Sequence, residues 1–296
     1  MEAFPFRVFV GTLALAALMP AAAESRCDVA LLRGLGVPPE QLLACARTVA
    51  ARPTSADGVG GELLRASLEA IDNASFTRPA ADEPNMARRL VAELERRGAL
   101  GPDDHRTLRK ILLANGQLEE AAADLASHPS AGDEAIPARQ PLVRPAATGE
   151  ARYFRWVSHG RMLGEQAIDL AHGTHLVIDA SPGCQFCAHA ATDIDQDPTL
   201  GQLFDGALWI TRPEQGLAPS YWAHWNEAHP AHQMVLVLDP QGWDLPAQWS
   251  TPRFRFFRDG RVVASILGWT PASRTALLRA GREQGLLPDG SRPSRE

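Results

Sequence analysis

Apolar residues recur at three- and four-residue intervals through the first half of this chain and alternate with polar ones through much of the second. Leu90, Val91, Leu94 and Leu100, then Leu108, Ile111 and Leu112, form stripes at helical spacing. The pattern predicts helices at CDVALLRGL (27–35), PEQLLACARTVAAR (39–52), GELLRASLEAI (61–71), MARRLVAELERRG (86–98), DDHRTLRKILLANG (103–116) and QLEEAAADLA (117–126). Gly36-Val37-Pro38 between the first two is a helix-stop followed by a helix-start. In the second half, RYFRWVSHGRML (152–163) predicts a β-hairpin turning at His159-Gly160. HLVIDAS (175–181), GALWIT (206–211) and QMVLVLD (233–239) predict strands; CQFCAHAATDI (184–194) and SYWAHWNEAH (220–229) predict helices. FRFF (254–257) and RVVASILGW (261–269) are joined by Asp259-Gly260, a favoured hairpin turn. Thr270 caps a last helix that Pro271 opens. Strands interleaved with helices and closing on a hairpin and a helix predict an α/β sandwich with a mixed sheet, behind an all-α helical first half.

Composition places the divisions. All seven Trp and both Tyr lie beyond residue 150, and before it the chain is rich in Ala, Leu, Arg and Glu. Residues 1–23 read as a signal peptide. Arg7 precedes the apolar run VFVGTLALAALMP (8–20), and Ala21, Ala22 and Ala23 offer a small-residue cleavage site. Cleavage near Ala23 would deliver the mature chain to an oxidising compartment such as a periplasm. Residues 24–128 then form the helical unit, 129–150 a proline-bearing linker without clear period, and 151–296 the α/β unit. The net charge of −6 argues against nucleic acid as a partner, because phosphate binding needs an excess of basic groups. A hydrophobic content of 45% is enough for a buried core.

There are four cysteines. Cys27 and Cys45 lie on the first two predicted helices, which antiparallel packing across the intervening turn brings together. In an exported protein this predicts a structural disulfide, and closing such a loop adds roughly 3 kcal/mol when unstrained. A redox-active role for this pair is the alternative.

The other two stand in SPGCQFCAHA (181–190), a C-x-x-C spacing that serves redox dithiols, zinc sites and haem attachment. Haem attachment needs a histidine directly after the second cysteine; position 188 is Ala and His189 is one place late. Zinc usually needs a second ligand pair, and Cys27 and Cys45 belong to the other unit. His189, His224, His229 and His232 remain as conceivable zinc partners, with ordinary surface or core positions as the alternative. No cofactor or metal is expected. As a dithiol the motif follows a strand and opens a helix. Cys184 then sits where orphan N–H groups and the helix dipole favour a thiolate, and Cys187, one turn on, stays a buried thiol.

WSTPRFRFFRDGRVVASILGW (249–269) sets Thr251-Pro252 directly before a strand, an Asp-Gly turn and another strand. Together with the cysteine motif this resembles the thioredoxin superfamily. The hairpin before the motif strand and the βα insertion near 205–231 make the order similar to TlpA-like extracytoplasmic members, over the second half only. The resemblance implies a thioredoxin-like α/β sandwich, a cis Pro252 facing the cysteines and a Thr251 backbone that pairs with substrate. It implies catalytic Cys184 and Cys187, and protein substrates bearing disulfides or thiols. It also implies a reductase or isomerase of protein disulfides rather than a primary oxidant. A reductant would draw on a membrane electron-donor protein, and a homodimer through the helical unit would suit isomerase work. The alternative is a non-catalytic binding or assembly protein of the envelope on the same fold.

Departures from the family are visible. ASPG precedes the motif where a Trp is usual, and Gln185-Phe186 replaces the familiar intervening pairs. Asp179 is the candidate for the buried proton-transfer carboxylate, yet it stands one position off, and a one-residue slip on a strand reverses the face. Arg253 and Arg255 fall where such a sheet is apolar on both faces; they either flank a substrate groove or mark an uncovered face.

Overall fold

The computed structural model describes residues 27–288, apart from 35, 53–59, 78–79, 143–149, 158–161, 214–218, 241 and 247–248. The leader with its cleavage point near Ala23, the turn at His159-Gly160 and part of the 129–150 segment lie outside the described residues. No helix among the described residues is long and apolar enough to cross a membrane.

Among the described residues six helices come first: α1 (Val29–Leu32), α2 (Pro39–Ala50), α3 (Gly61–Thr77), α4 (Glu83–Arg96), α5 (Asp104–Ala114) and α6 (Leu118–Ser127). They start where the sequence supplies caps. The Asp28 carboxylate accepts the Leu31 N–H at 2.9 Å, and Pro39 occupies the first position of α2. α3 lies centrally and is buried on two sides. Ala66 and Ala70 face α1 and α2 beside Leu32, Leu42 and Cys45, while Leu64, Leu68 and Ile71 face α4 and α5. Small residues on one stripe and large ones on the other let neighbours approach at different distances. Cys27 and Cys45 are disulfide-bonded with Cα atoms 5.3 Å apart, tying the start of the bundle to α2.

Eight strands follow among the described residues: β1 (Ala138–Gln140), β2 (Ala151–Val157), β3 (Met162–Ile168), β4 (Thr174–Asp179), β5 (Leu208–Thr211), β6 (Met234–Leu236), β7 (Arg253–Arg258) and β8 (Arg261–Leu267). Interspersed are α7 (Gln185–Gln196), α8 (Pro198–Phe204), α9 (Pro219–Ala228) and α10 (Pro271–Glu283). All the strands form one mixed sheet in the order β1-β3-β2-β6-β5-β4-β7-β8. β4, β5 and β6 run parallel, and β7 and β8 turn back as an antiparallel hairpin beside β4. At the hairpin turn Asp259 and Gly260 both take positive φ, 48° and 79°, as the Asp-Gly pair predicts.

Side chains alternate across this sheet. Leu176, Ile178, Trp209, Leu236, Phe254 and Phe256 share one core with apolar residues of α7, α8, α9 and α10. Val177, Ile210, Val235, Val237 and Phe257 line the other face, where the chain between β6 and β7 lays Trp243, Leu245 and Trp249 over them. The parallel steps from β4 to β5 and on to β6 go the same way along the sheet, and the helices that connect them, α7, α8 and α9, pack into the same core. The return from β6 to β7 passes over the opposite face and is covered by indoles.

The helical half docks on the sheet half. Gly116 ends α5 at φ 72°, and a Cβ there would lie 2.7 Å from the Leu238 carbonyl oxygen. Gly116→Ala therefore meets both a disfavoured backbone and a fixed oxygen. It is expected to cost about 2 kcal/mol, read as a lower unfolding midpoint in urea. The 129–150 segment, expected to be a linker, is stitched to both halves. Asp133 is held by Arg106 and Arg109, the Glu134 carboxylate accepts the Ser220 N–H and hydroxyl, and Arg139 donates to the Gly116 carbonyl. Within it, residues 138–140 form the edge strand β1, parallel to β3. All three positions of β1 are exposed, so no apolar alternation announces it.

Candidate active site

β4 ends at Asp179, and Ala180-Ser181-Pro182-Gly183 carries the chain into α7, where Cys184 is the N-cap. Its sulfur accepts the Cys187 N–H at 3.2 Å. Cys184 is half-buried and Cys187 is fully buried, packed with Ala190, Ala191 and Ile194 against the sheet. This asymmetry follows from helical geometry: the cap residue stands at the open end, and the residue one turn on points inward.

The two thiols differ sharply in acidity. A hydrogen bond from the Cys187 thiol, then one from the Thr251 side chain, then the N–H groups of Cys187 and Phe186 hold Cys184 down to about 6, against the opposing effect of burial. Burial pushes Cys187 far up, and the hydrogen bond to Cys184 and the charge on it add to that. The Thr251–Pro252 bond is cis, and the Pro252 carbonyl accepts the Gly268 N–H at 2.8 Å, which pins this turn to β8. Cys184, Cys187, Thr251 and Pro252 are thus brought together. The Thr251 side chain favours the thiolate form at both sulfurs, a part beyond the backbone pairing expected of this residue.

Two aromatic side chains near the motif keep most of their surface in solvent: Phe186, 61% exposed, and Tyr221, 62% exposed. A methyl group on Gly183 would lie 4.0 Å from the Tyr221 ring, so Tyr221 of α9 stands beside the motif loop. The sequence signal for Tyr221 was present but unread: SYWAHW puts an aromatic next to two core tryptophans, off their buried face.

Asp179 does not stand beneath the cysteines. Ile178 on β4 and Ala180 just beyond it join the core that holds Cys187, whereas Asp179 points through the opposite face and pairs with Arg255 at 2.6 Å. The proton-transfer role expected for it is corrected by this one-residue offset, which aims the carboxylate away from the sulfurs. Of the two arginines, Arg255 is therefore a buried partner rather than the rim of a groove.

The histidines near the motif have other roles. His232 contacts Asp195 at 2.8 Å and lies beside Trp209, and His189 is exposed. Among the described residues, three donors within metal-binding reach are His105, Asp124 and His128, in the helical half. The two imidazoles stack at 3.6 Å and 10°, and Asp124 already accepts from Arg109. Asp124 Oδ1 also lies 2.8 Å from His105 Nδ1 and 3.5 Å from His128 Nδ1, so the three side chains are partnered with one another.

The order β5-β4-β7-β8, with α7 after β4, α10 after the hairpin and a cis Thr251–Pro252 bond before β7, makes the fold a thioredoxin-like α/β sandwich. Residues 205–231, expected as a βα insertion, hold β5 and α9, and an all-α region precedes the sandwich. No family model and no curated protein matches the chain. A solved structure similar to it is that of a thioredoxin-like protein from Bacteroides caccae ATCC 43185, at 14% identity and a TM-score of 0.32, over 82% of this chain and 78% of that one.

Proposed function

We propose that this chain is an exported thiol–disulfide oxidoreductase of the TlpA-like kind, a reductase or isomerase of protein disulfides. The observation that carries the reading is the unequal cysteine pair: an accessible sulfur held as thiolate near neutral pH, and a buried thiol one helical turn away. The Cys184 thiolate attacks one sulfur of a substrate disulfide, forms a mixed disulfide and releases the other sulfur as thiolate. Cys187 then attacks the Cys184 sulfur. The Cys184–Cys187 disulfide forms, the second substrate sulfur leaves, and two electrons have passed to the substrate.

In the reduced pair the Cys187 proton is held partly by the charged Cys184 sulfur. Mixed-disulfide formation removes that charge, which frees Cys187 to lose its proton to the departing substrate thiolate. A nucleophile near 6 is closer to reducing thioredoxins, at about 7, than to the strong oxidant DsbA, at about 3.5. The reducing direction requires a membrane electron donor that returns two electrons to the Cys184–Cys187 disulfide. The Thr251 backbone would pair with the substrate chain, and the exposed rings of Phe186, within the motif, and Tyr221, beside Gly183, would offer it apolar surface.

The test is trapping. Cys187→Ser, expressed in the native host, should accumulate substrate proteins disulfide-linked to Cys184, released by reductant and resolved on non-reducing gels. A pattern no different from wild type would remove the exchange reading and leave the fold to a binding or assembly role.

A further inference from the structure

The thiol chemistry makes no use of the most deeply buried charges in the sheet. Asp179 is fully buried and Arg255 is 2% exposed. Nε and Nη2 of Arg255 donate to Asp179 Oδ1 at 3.0 and 2.6 Å. Its Nη1 donates to the carbonyls of Trp243 and Asp244 at 2.6 and 3.1 Å. Asp179 Oδ2 has no hydrogen-bond partner, and Arg253, directly across the ladder, adds only its charge. The surrounding positions on this face are Val177, Ile210, Val235, Val237 and Phe257. An apolar pair would fill such a place at no loss of stability, because desolvating two charges offsets most of their attraction.

The placement explains the pair better than stability does. Asp179 ends the strand that delivers Cys184, five residues on. Arg255 is the third residue after Pro252, and the two carbonyls it grips lie on the return segment that runs into Thr251. Asp244 takes a φ of 45° there, a left-handed conformation that needs outside support. The guanidinium presents its donors in a rigid fork, so one side chain fixes three segments in a single geometry.

We propose that Asp179 and Arg255 are a positioning pair for the cysteine site: they lock the Cys184 strand, the return segment and the Thr251–Pro252 turn in register, and so hold the Thr251 hydroxyl against the Cys184 sulfur. This role rests on Cys184 being the attacking thiolate.

The test uses the full chain, reduced, with iodoacetamide alkylation of Cys184 followed against pH and thermal unfolding followed in parallel. Asp179→Asn and Arg255→Lys keep the shape and weaken the grip. The double variant Asp179→Leu with Arg255→Met removes both charges and keeps the bulk, so its unfolding midpoint should stay near that of wild type. All three should move the alkylation midpoint upward, leaving about tenfold less reactive thiolate at pH 5. Thr251→Val should give the same shift alone and add nothing to the double variant, because both act through one contact. Leu277→Ala, a core change in α10, should lower the unfolding temperature and leave the alkylation midpoint in place. A folded double variant that titrates as wild type overturns the proposal. An ordinary thiol midpoint in the wild type would instead overturn the reading it rests on.

Discussion

Cys184→Ser should lower turnover of insulin disulfides by at least about a thousandfold, because a serine hydroxyl is not ionised at neutral pH and does not exchange with disulfides. Cys187→Ser should behave differently: it keeps the first attack, gives one mixed disulfide per chain and stops. The pH dependence carries the sharper test. With Cys184 near 6, most of it is thiolate at pH 7. Alkylation of the wild type should rise through about pH 6 and level off above it, while Cys187 stays unreactive up to high pH. The stability contribution has the same sign. The folded-state value is depressed below the usual thiol range, so the reduced protein gains stability as pH rises above about 6. It loses that gain as pH falls back through 6. A midpoint between 8 and 9, the unperturbed thiol range, would show that the helix terminus, Cys187 and Thr251 do not act on Cys184 together.

What the sequence disclosed follows the range of the interaction. The C-x-x-C pair at a strand–helix junction, the Asp-Gly turn and the Thr270-Pro271 helix start are local signals, and each is realised at the residue that carries it. Helix α8 was missed although Asp197 caps it and Pro198 opens it, a start signal like that at Thr270. Gly201 and Gln202 interrupt its apolar run, and Leu200, Leu203 and Phe204 join the core that holds Ile194 and Leu277, a partnership no local pattern announces. Asp179 shows the limit of a family pattern: the residue type is right and the parity is wrong, and parity decides the face. The partner that reinterprets it, Arg255, is 76 residues away, and nothing local in RFRFF announces an inward-pointing arginine. The Thr251 side chain escaped notice for the same reason: it acts on sulfurs more than 60 residues earlier in the chain.

Arg109→Met should cost about 3–5 kcal/mol, which for a chain of this size lowers the unfolding temperature by roughly ten degrees. Arg109 is 4% exposed and donates to Asp124 Oδ2 at 3.0 Å, to the His128 carbonyl at 3.2 Å and to Asp133 Oδ2 at 2.5 Å. Methionine matches the stem and fills the space. The loss is therefore the charge, and it leaves two largely buried carboxylates facing each other. Arg106 provides the comparison on the same helix. It also contacts Asp133, at 3.2 Å, but its side chain is 38% exposed, so Arg106→Met should cost less than about 1 kcal/mol. The difference also bears on the site. Asp133 anchors the segment whose next residue, Glu134, holds the N-terminus of α9 through Ser220, and α9 presents Tyr221 beside Gly183. Releasing Asp133 should therefore loosen Tyr221, raising KM for a protein disulfide in Arg109→Met while the pH midpoint of Cys184 alkylation stays near 6. Equal unfolding midpoints for the two arginine variants would show that the buried guanidinium does not secure the segment at Asp133 more firmly than the exposed one.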